Sequence, residues 1–535
     1  MNKLDLCLLD CSSIQRYVFG SNKLKSNIGA SHIVQAVYDH WIPVTLKKIF
    51  SDDIDKRYQN WKTHTATLEM ANQPDISWEI GFVGGGSALV LFRSGNDFAE
   101  QFIKAWSTAL LVNAPGINPV IALLKEIPVD DGDIGKVQID LLYKTLQNNK
   151  NKFLPQTSID RHGITAECAI SGLSAEIYDK GMETWISSVV KSKIENVQAA
   201  NRRLNEDYAE ELCSAAGETK ISYHFSEDTE NLGGIKGEAS QIAIVHIDGN
   251  SMGQAFKNCS GLLERRQLAI EVDQRNRQAM RETIRKLVGQ MPAFAKRSFF
   301  HWKDTSQNWL PLRPIIVNGD DNTFITDARL AFYLAEIFMK AFAAEKISYR
   351  DETGTLAERP VSTCAGIAIV KAKYPFYRAY QLAEQLCANA KRLGRPENTS
   401  WLDFHIAYSG LTGDLDAMRQ RQYRLGDDFL LWRPWKISDA KEKTSFSQVK
   451  SALKSFNNRE DWPKNKLHDL NTALAQGQAA TKLLIEHLTF RGHLLSEIAQ
   501  IEQAAQTGWY ANKTPYYDIL EISEFYPDFL IAREE

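Results

Sequence analysis

The stretches IAIVHIDGNSMGQAF (242–256) and LRPIIVNGDDNTFIT (312–326) decide the fold. The first begins with apolar β-formers and turns through Asp248 and Gly249 into a helical pattern. The second has two short apolar runs joined by Asn-Gly-Asp-Asp-Asn, residue types that suit a tight hairpin. We therefore expect a strand that leads into a helix, followed by a hairpin that carries an acidic pair, Asp320 and Asp321, at its turn.

Hydrophobic periodicity assigns the elements around these two stretches. The order is βαββαβ with one further helix and strand, which predicts an α+β fold. The additional predicted elements are a long helix at 261–289, a helix at 327–345, a buried strand at 361–370, a helix at 374–392 and a final strand at 402–408.

The first 125 residues repeat this plan weakly. LDLCLLD (4–10) ends in Asp10 as IAIVHID ends in Asp248, and GFVGGGSALVLF (81–92) has the same form as the acidic hairpin. Asp10 to Gly86 spans 76 residues, since 86 minus 10 is 76, and Asp248 to Asp320 spans 72, since 320 minus 248 is 72. The near-equal spacing predicts a duplicated domain. Gly86 and Ser87 replace the two acids in the first copy, so only the second copy keeps the carboxylates.

These patterns divide the chain into four regions. We expect two ferredoxin-like (βαββαβ) palm or nucleotidyl cyclase domains, a connecting region with helical stretches, and a C-terminal all-α domain in which WRPWK (432–436) looks exposed. Their predicted bounds are 1–125 for the degenerate palm, 126–235 for the mixed connecting region, 236–410 for the catalytic palm and 411–535 for the helical domain.

Composition bounds the class of protein. The 535 residues are 44% hydrophobic and 24% charged, which is close to the usual globular mixture. Asp5 and Asp10 interrupt the only apolar run near the N-terminus, so we expect neither a signal-peptide core nor a membrane span. Seven cysteines without a C-x-x-C pair fit a reducing cytoplasm. A net charge of -3 lacks the positive field of a nucleic-acid coat protein but suits small nucleotides.

Asp248, Asp320 and Asp321 are the candidate catalytic residues. Adjacent strands bring them together, and three close carboxylates repel one another unless a divalent cation neutralises them. Mg²⁺ (or Mn²⁺) prefers oxygen ligands, with a triphosphate completing its shell. The metal ligands predicted here are Asp248, Gly249, Asp320 and Asp321. Two such ions activate a ribose 3′-hydroxyl and stabilise the leaving pyrophosphate.

A second group of residues is predicted to contact nucleotide. Gly249 allows close approach of phosphate, and the residues after it open a helix whose free N-H groups attract anions. Lys391 would meet the outer phosphates from the opposite side, with Arg392 as its substitute. The bland alternatives are a simple tight turn at the acidic hairpin, an N-cap at Asp248 and a solvated Lys391. The predicted contacts of the second copy are Gly249, Asn250, Ser251, Met252, Gly253, Gly319 and Lys391.

At these residues the chain resembles the large polymerase-like, cyclase-type subunit of type III CRISPR effector complexes. IDGNSMG (247–253) is similar to the first-strand metal motif of that family and VNGDDN (317–322) to its Gly-Gly-Asp-Asp hairpin. The strand and helix at 364–391, the N-terminal run at 12–34 and the C-terminal helices extend the likeness over most of the chain. The resemblance implies condensation of ATP into cyclic oligoadenylates. It also implies that the first palm cradles a second nucleotide through Gly84, Gly85, Gly86 and Ser87, joined by Ser31.

Three departures from the family pattern accompany this resemblance. Asn318 stands in place of the first glycine of the hairpin, no HD nuclease motif precedes the palm at residue 1, and AECAISGLSAE (166–176) keeps only Cys168 of a four-cysteine zinc module. We therefore expect no DNA cleavage. Two other functions stay open: a scaffold subunit that binds guide RNA and protein partners, and a cyclase of the GGDEF or class III type.

Overall fold

The structure is a computed structural model that describes residues 3–51, 53–63, 66–152, 165–216, 219–235, 240–408, 413–458 and 460–531. The predicted domain boundaries at 236, 410 and 411 lie outside these residues. The α+β class is confirmed, because helices cover two separate main sheets. Among the described helices, none has both the length and the apolar character that a membrane span requires.

The N-terminal part forms a four-stranded sheet with the order β2-β3-β1-β4. The central strand β1 pairs antiparallel with β3 on one side and β4 on the other. The elements are β1 Lys3–Ser12, α1 Ile14–Phe19, α2 Leu24–Asp39, α3 Trp41–Ile49, α4 Ile54–Gln59, α5 Glu69–Asn72, β2 Trp78–Gly84, β3 Ser87–Arg93, α6 Phe98–Asn113, β4 Asn118–Pro128 and α7 Lys136–Lys152.

The connecting part is mixed rather than purely helical. Two short hairpins, β5-β6 and β7-β8, flank a pair of helices. The elements are β5 Ile177–Asp179, β6 Thr184–Ile186, α8 Ser188–Glu195, α9 Val197–Asp207, β7 Cys213–Ala216, β8 Thr219–Ser222 and β9 His224–Phe225.

The next part builds a second sheet with the order β12-β13-β10-β16-β17-β20. The predicted long helix is observed as α11 and extends beyond its expected end. The elements are β10 Gln241–Gly249, α10 Met252–Asn258, α11 Leu262–Lys296, β11 Trp309–Leu310, β12 Leu312–Asn318, β13 Asp321–Asp327, α12 Ala331–Phe342, β14 Ile347–Arg350, β15 Leu356–Arg359, β16 Thr363–Lys371, α13 Phe376–Glu397 and β17 Trp401–Ile406.

The C-terminal part is mainly helical, but the prediction of an all-α domain is wrong. Strand β20, within the WRPWK segment, pairs with β17 and extends the second sheet. Trp435 in this strand is fully buried. A two-residue strand has no periodicity of its own, so only pairing with Trp401 and Leu402 reveals it. The elements are α14 Leu415–Tyr423, β18 Arg424–Leu425, β19 Asp428–Phe429, β20 Trp435–Lys436, α15 Phe446–Asn457, α16 Lys464–Ala475, α17 Gln478–Phe490, α18 Ala504–Thr507, α19 Tyr516–Ser523 and α20 Asp528–Ile531.

Strand β10 is apolar on both faces because it belongs to two cores. Ala243, Val245 and Ile247 join the core formed with α11, α12 and the C-terminal helices. Ile242 and Ile244 face the other way, into a core that contains the first sheet. The alternation of side chains along a strand produces this division. The two sheets are therefore fixed to one another by shared apolar packing.

The two sheets have equivalent registers. Asp10 of β1 lies opposite Ser87 of β3, and Asp248 of β10 lies opposite Asp321 of β13. Three residues after each aspartate, Ser13 and Ser251 both adopt a φ of 58°, which residues other than glycine seldom do. The pairing and the backbone thus match the alignment of the two copies made from the sequence.

Candidate active site at the paired hairpin turns

The acidic hairpin is formed by β12 and β13. Asn318 pairs with Asp321, so Gly319 and Asp320 are the two turn residues between the strands. Gly319 has a φ of 57°, a conformation that glycine adopts without a steric penalty. Because Asp248 pairs with Asp321 across β10 and β13, the fold brings all three predicted carboxylates to one end of the sheet.

Asp320 reaches over Gly249. The Gly249 N-H donates to the Asp320 carbonyl oxygen at 3.2 Å. A Cβ atom at Gly249 would lie 2.8 Å from the Asp320 Cβ, which is closer than packed carbon atoms approach. The absence of a side chain at residue 249 therefore makes room for the Asp320 carboxylate. The close approach of phosphate to Gly249 stays a prediction.

The carboxylates lack sufficient positive charge around them. Burial and the nearby Asp248 charge raise the pKa of Asp320 to about 7 and that of Asp321 to about 8. One buried oxygen of Asp321, Oδ1, has no hydrogen-bond partner among the described residues. His246 Nδ1 lies 3.5 Å from this oxygen, but burial lowers the pKa of the His246 imidazole and favours its neutral form. The group is thus arranged to gain from an added cation.

Lys391 of α13 approaches the same carboxylates from the helical side. Its Nζ contacts Asp248 Oδ2 and donates to the Gly249 carbonyl oxygen at 3.0 Å. The side chain is buried, which differs from the solvated alternative. Lys391 therefore contacts two of the predicted metal ligands, Asp248 and Gly249. The sequence predicts contact with the outer phosphates, which would not require the lysine to lie this close to the carboxylates.

The donor set fits a divalent cation in its chemistry. All the predicted ligands are oxygen atoms, and Asp321 Oδ1 has no hydrogen-bond partner among the described residues. Burial and the Asp248 charge both raise the pKa values of Asp320 and Asp321, and a bound cation would oppose both effects. Within the described ranges, however, no group of three or more His, Cys, Asp or Glu side chains is already arranged to hold a metal ion.

The loop after β10 combines two buried residues with two exposed ones. The Asn250 side chain is buried, and its amide donates to Ser362 Oγ at 2.8 Å and to the Thr399 carbonyl oxygen at 3.0 Å. Met252 lies in the apolar core. Ser251 and Gly253 are exposed. Of this loop, only these two residues present accessible atoms to a ligand.

The first sheet has a glycine turn at the equivalent position. Gly84 pairs with Ser87, and the turn residues Gly85 and Gly86 have φ values of 58° and 74°. Ser87 Oγ donates to the Gly84 carbonyl oxygen at 3.2 Å, and the Tyr38 hydroxyl donates to the Gly86 carbonyl oxygen. These bonds hold the turn in place without carboxylates.

The two turns face each other. A Cβ atom at Gly319 would lie 3.6 Å from the Gly85 nitrogen and 3.7 Å from its Cα. Ser31, whose contact with nucleotide stays a prediction, donates its hydroxyl hydrogen to the Ile315 carbonyl oxygen of β12. It joins the two halves of the molecule near the turns.

Two charged contacts near the turns were missed from the sequence. Lys150 of α7 forms an ion pair with Asp10, and Arg265 of α11 lies over the Tyr143 ring, 4.6 Å from its centroid. Extending the alignment of the two copies by one helix would have paired α7 with α13 and identified Lys150 as the counterpart of Lys391. No local motif marks Arg265.

Comparison with known proteins finds a family model that is similar to the part of the chain that forms the second sheet. Residues 241–399 match the sequence model of the family described as Cas10/Cmr2, second palm domain. No curated protein sequence matches the chain.

Three solved structures align with most of the chain. A Csm1-Csm4 cassette in complex with cA4 aligns over 98% of this chain and 70% of its own, with 12% identity and a TM-score of 0.47. The apo Csm1-Csm4 cassette aligns over 98% and 70%, with 14% identity and a TM-score of 0.47. Csm1 in T. onnurineus aligns over 98% and 69%, with 13% identity and a TM-score of 0.46.

Proposed function

We propose that this chain is a Mg²⁺-dependent nucleotidyltransferase that condenses ATP into cyclic or short linear oligonucleotides, and the match of residues 241–399 to the second palm domain of the Cas10/Cmr2 family supports this proposal. The observation that supports it most is the cross-strand register that brings Asp248 beside Asp320 and Asp321. We further propose that the chain acts in cytoplasmic antiviral defence, with protein or guide-RNA partners, as the family resemblance implies.

Asp248, Asp320, Asp321 and the Gly249 carbonyl oxygen would hold the divalent ions. When bound, the ions supply the positive charge that activates a ribose 3′-hydroxyl and stabilises the leaving pyrophosphate. Asp321 Oδ1, which has no hydrogen-bond partner among the described atoms, offers one free oxygen for this purpose. Asp248 offers another when Lys391 moves away from it.

Lys391 would then follow the negative charge. Its ammonium group is a compact cation on a flexible side chain, and it already contacts Asp248 and the Gly249 carbonyl oxygen. A triphosphate bound over the acidic turn places new negative charge beside it. We propose that Lys391 transfers its contact from Asp248 to the phosphates and so balances charge in both states.

The second nucleotide would bind at the glycine turn of the first sheet. We propose that Gly84, Gly85, Gly86 and Ser87 form this site, because Gly85 lies beside Gly319 and no atom lies within 4 Å of a Cβ built on Gly84 or Gly85. Two nucleotides held turn to turn would bring a 3′-hydroxyl and an α-phosphate together, which is a large part of the catalysis in phosphoryl transfer. In this proposal the first sheet positions the second nucleotide, and the second sheet supplies the carboxylates that hold the metal ions.

This function implies a division of the chain. We propose two ferredoxin-like palm domains, at 1–125 and 236–410, a connecting region at 126–235 and a C-terminal helical domain at 411–535. Helix α7 lies in the proposed connecting region and contacts the first palm, because Lys150 on this helix forms an ion pair with Asp10 of β1.

The test is incubation of the purified chain with each of the four nucleoside triphosphates and Mg²⁺ or Mn²⁺, followed by mass spectrometry of the products. ATP should yield oligoadenylates and pyrophosphate, and the variant Asp320→Ala/Asp321→Ala should yield neither. The absence of product from the wild type with all four nucleotides would overturn the proposal. A stably bound guide RNA found by mass determination would then favour the scaffold function.

A further inference from the structure

The outer strand of each hairpin carries a bulge that a helix from the other half of the molecule contacts. The register of β2 shifts between Ile80 and Phe82, and that of β12 shifts between Pro314 and Ile316. The bulged residues are thus Gly81 and Ile315, each four residues before a turn glycine, Gly85 or Gly319. Bulges of this kind redirect backbone groups away from the ladder.

Arg266 of α11 binds the bulge of the first sheet. Its Nε donates to the Gly81 carbonyl oxygen at 2.8 Å, and one terminal nitrogen donates to the Ile80 carbonyl oxygen at 3.0 Å and to Glu79 Oε1 at 2.9 Å. The arginine is fully buried. At the equivalent bulge of the second sheet, Ser31 of α2 donates to the Ile315 carbonyl oxygen. The two halves thus clamp each other's hairpins reciprocally.

The same helix α11 also binds the acidic hairpin. The Asn276 amide donates to the Asp321 carbonyl oxygen at 3.2 Å and accepts from Asn322 Nδ2 at 3.1 Å. Asn276 and Asn322 are fully buried. Ten residues separate Arg266 from Asn276, which corresponds to about 15 Å of helix. This segment contains neither glycine nor proline, so it is a stiff connection.

We infer that α11 is a strut that sets the spacing between the glycine turn and the acidic turn, with Arg266 and Asn276 as its two anchoring residues. The inference rests on the proposed function, because it concerns the geometry of the site that the two turns share. The turns already meet at Gly85 and Gly319. Nucleotides bound on them react only when the attacking and reacting atoms come within about 3.5 Å, so a small change in spacing is costly. Arg266 and Asn276 are positioning residues, and neither touches the nucleotide.

Two sets of variants test this strut. Asn276→Leu keeps the size of the side chain and removes both hydrogen bonds to the acidic hairpin. Arg266→Met combined with Glu79→Gln releases the other end and leaves no buried carboxylate without its partner. Thr283→Val is the matched control, because Thr283 is equally buried on α11 but bonds only to Ala279 of its own helix.

In turnover of ATP, each release of the strut should lower kcat about tenfold or more, while KM stays within about twofold. The variant that combines all three substitutions should have a kcat little lower than that of the slower parent variant, because both anchoring residues set the same distance between the two turns. Independent sites this far apart would instead show additive effects. Thr283→Val should behave as the wild type.

The spacing is measured separately by pulsed electron resonance between spin labels. Gln15→Cys on α1 and Gln254→Cys on α10 place exposed labels beside the two turns. Six of the seven native cysteines are buried, so replacing the half-buried Cys213 by Ser leaves the labels specific. The wild-type distance distribution should be narrow, and it should broaden or shift in Asn276→Leu and in Arg266→Met/Glu79→Gln but not in Thr283→Val.

A narrow, unshifted distribution in folded Asn276→Leu and in folded Arg266→Met/Glu79→Gln would overturn the strut, whatever their turnover. If the wild type makes no product but releasing the strut changes the distance, the proposed function fails and the strut stands. If the wild type is active and both variants keep its kcat, the strut has no catalytic consequence and the inference fails.

Discussion

Lys150 forms an ion pair with Asp10 in the first sheet, with Nζ and Oδ1 2.8 Å apart. Lys391 contacts Asp248 in the same manner in the second sheet. The lysine follows its aspartate by 140 residues in the first pair and by 143 in the second, since 150 minus 10 is 140 and 391 minus 248 is 143. The first copy has therefore kept the strand aspartate and its helical lysine while its turn has glycine and serine in place of the two acids.

This comparison separates two functions of the lysine. In the first sheet no carboxylate of the turn adds to Asp10, and burial raises the pKa of Asp10 even beside Lys150. There the charge of Lys150 balances the single carboxylate of Asp10. In the second sheet a single lysine faces three carboxylates, so a deficit of positive charge remains. This difference in charge predicts that, of the two sheets, only the second binds a metal ion.

Lys391→Met should strengthen Mn²⁺ binding by the nucleotide-free protein and weaken ATP binding. The ammonium group no longer competes for Asp248 and the Gly249 oxygen, and it no longer attracts phosphate. A part-exposed ion pair contributes up to about 1 kcal/mol, which corresponds to a change of about fivefold in affinity. Titration calorimetry measures both constants.

Lys150→Met is the matched control for this substitution, because it breaks the equivalent ion pair where no turn acids are present. It should leave Mn²⁺ affinity unchanged. Equal Mn²⁺ affinity in the wild type and Lys391→Met would show that Lys391 does not compete with the metal ion.

The strands and the acidic hairpin could be predicted because their signals are local. Two short patterns each predict a local conformation from a few residues. They are the β-formers followed by Asp248-Gly249 and the two apolar runs around Asn-Gly-Asp-Asp. The predicted carboxylates consequently meet as expected. Placement of Ser31 on the Ile315 carbonyl oxygen, burial of Asn250 and the strand at Trp435 depend on contacts between distant segments. No periodicity along the chain carries such information.

The pH dependence of stability should report the turn carboxylates. Their raised pKa values mean that the folded protein keeps protons which the unfolded chain releases above about pH 4, so folding loses stability as the pH rises towards 8. Asp320→Ala/Asp321→Ala lacks this loss. In chelator, its free energy of unfolding relative to the wild type should rise between pH 5 and pH 8 by at least about 1 kcal/mol, after allowance for solvent screening.

Urea unfolding at a series of pH values measures this difference. The exposed carboxylate variant Asp75→Ala serves as the control and should show no such trend. Mg²⁺ should restore stability to the wild type at pH 8 but not to the double variant. A difference that stays flat with pH would contradict the assigned electrostatics of the turn.

Arg433→Met should destabilise the junction between the second sheet and the C-terminal helices. Arg433 is fully buried, bonds to Asp518 at 2.8 Å and to Glu521, and donates to the Phe404 carbonyl oxygen at 2.8 Å. Its removal leaves two carboxylates buried without their cation, which costs about 3 to 5 kcal/mol. Urea unfolding measures the loss. Arg424→Met, on the exposed surface, should change stability by no more than about 0.5 kcal/mol. Wild-type stability in Arg433→Met would show that the network is dispensable.

Gly85→Arg should abolish turnover while leaving nucleotide binding at the second sheet intact. Gly85 is exposed, and no atom lies within 4 Å of a Cβ built on it, so the arginine causes no clash with the protein. The φ of 58° costs an ordinary residue about 1 kcal/mol, which the fold tolerates. The long side chain would instead occupy the space beside Gly319 where the second nucleotide is proposed to bind.

Gly85→Asn is the matched control, because asparagine accepts the same backbone conformation with a much shorter side chain. Calorimetry with ATP and Mg²⁺ should give two bound nucleotides for the wild type and for Gly85→Asn, but one for Gly85→Arg. Product formation should follow the same order, because loss of proximity removes catalysis even when the metal site is intact. Unchanged turnover in Gly85→Arg would show that the first sheet is only a scaffold, and loss of both nucleotides would place the first binding site at the glycine turn itself.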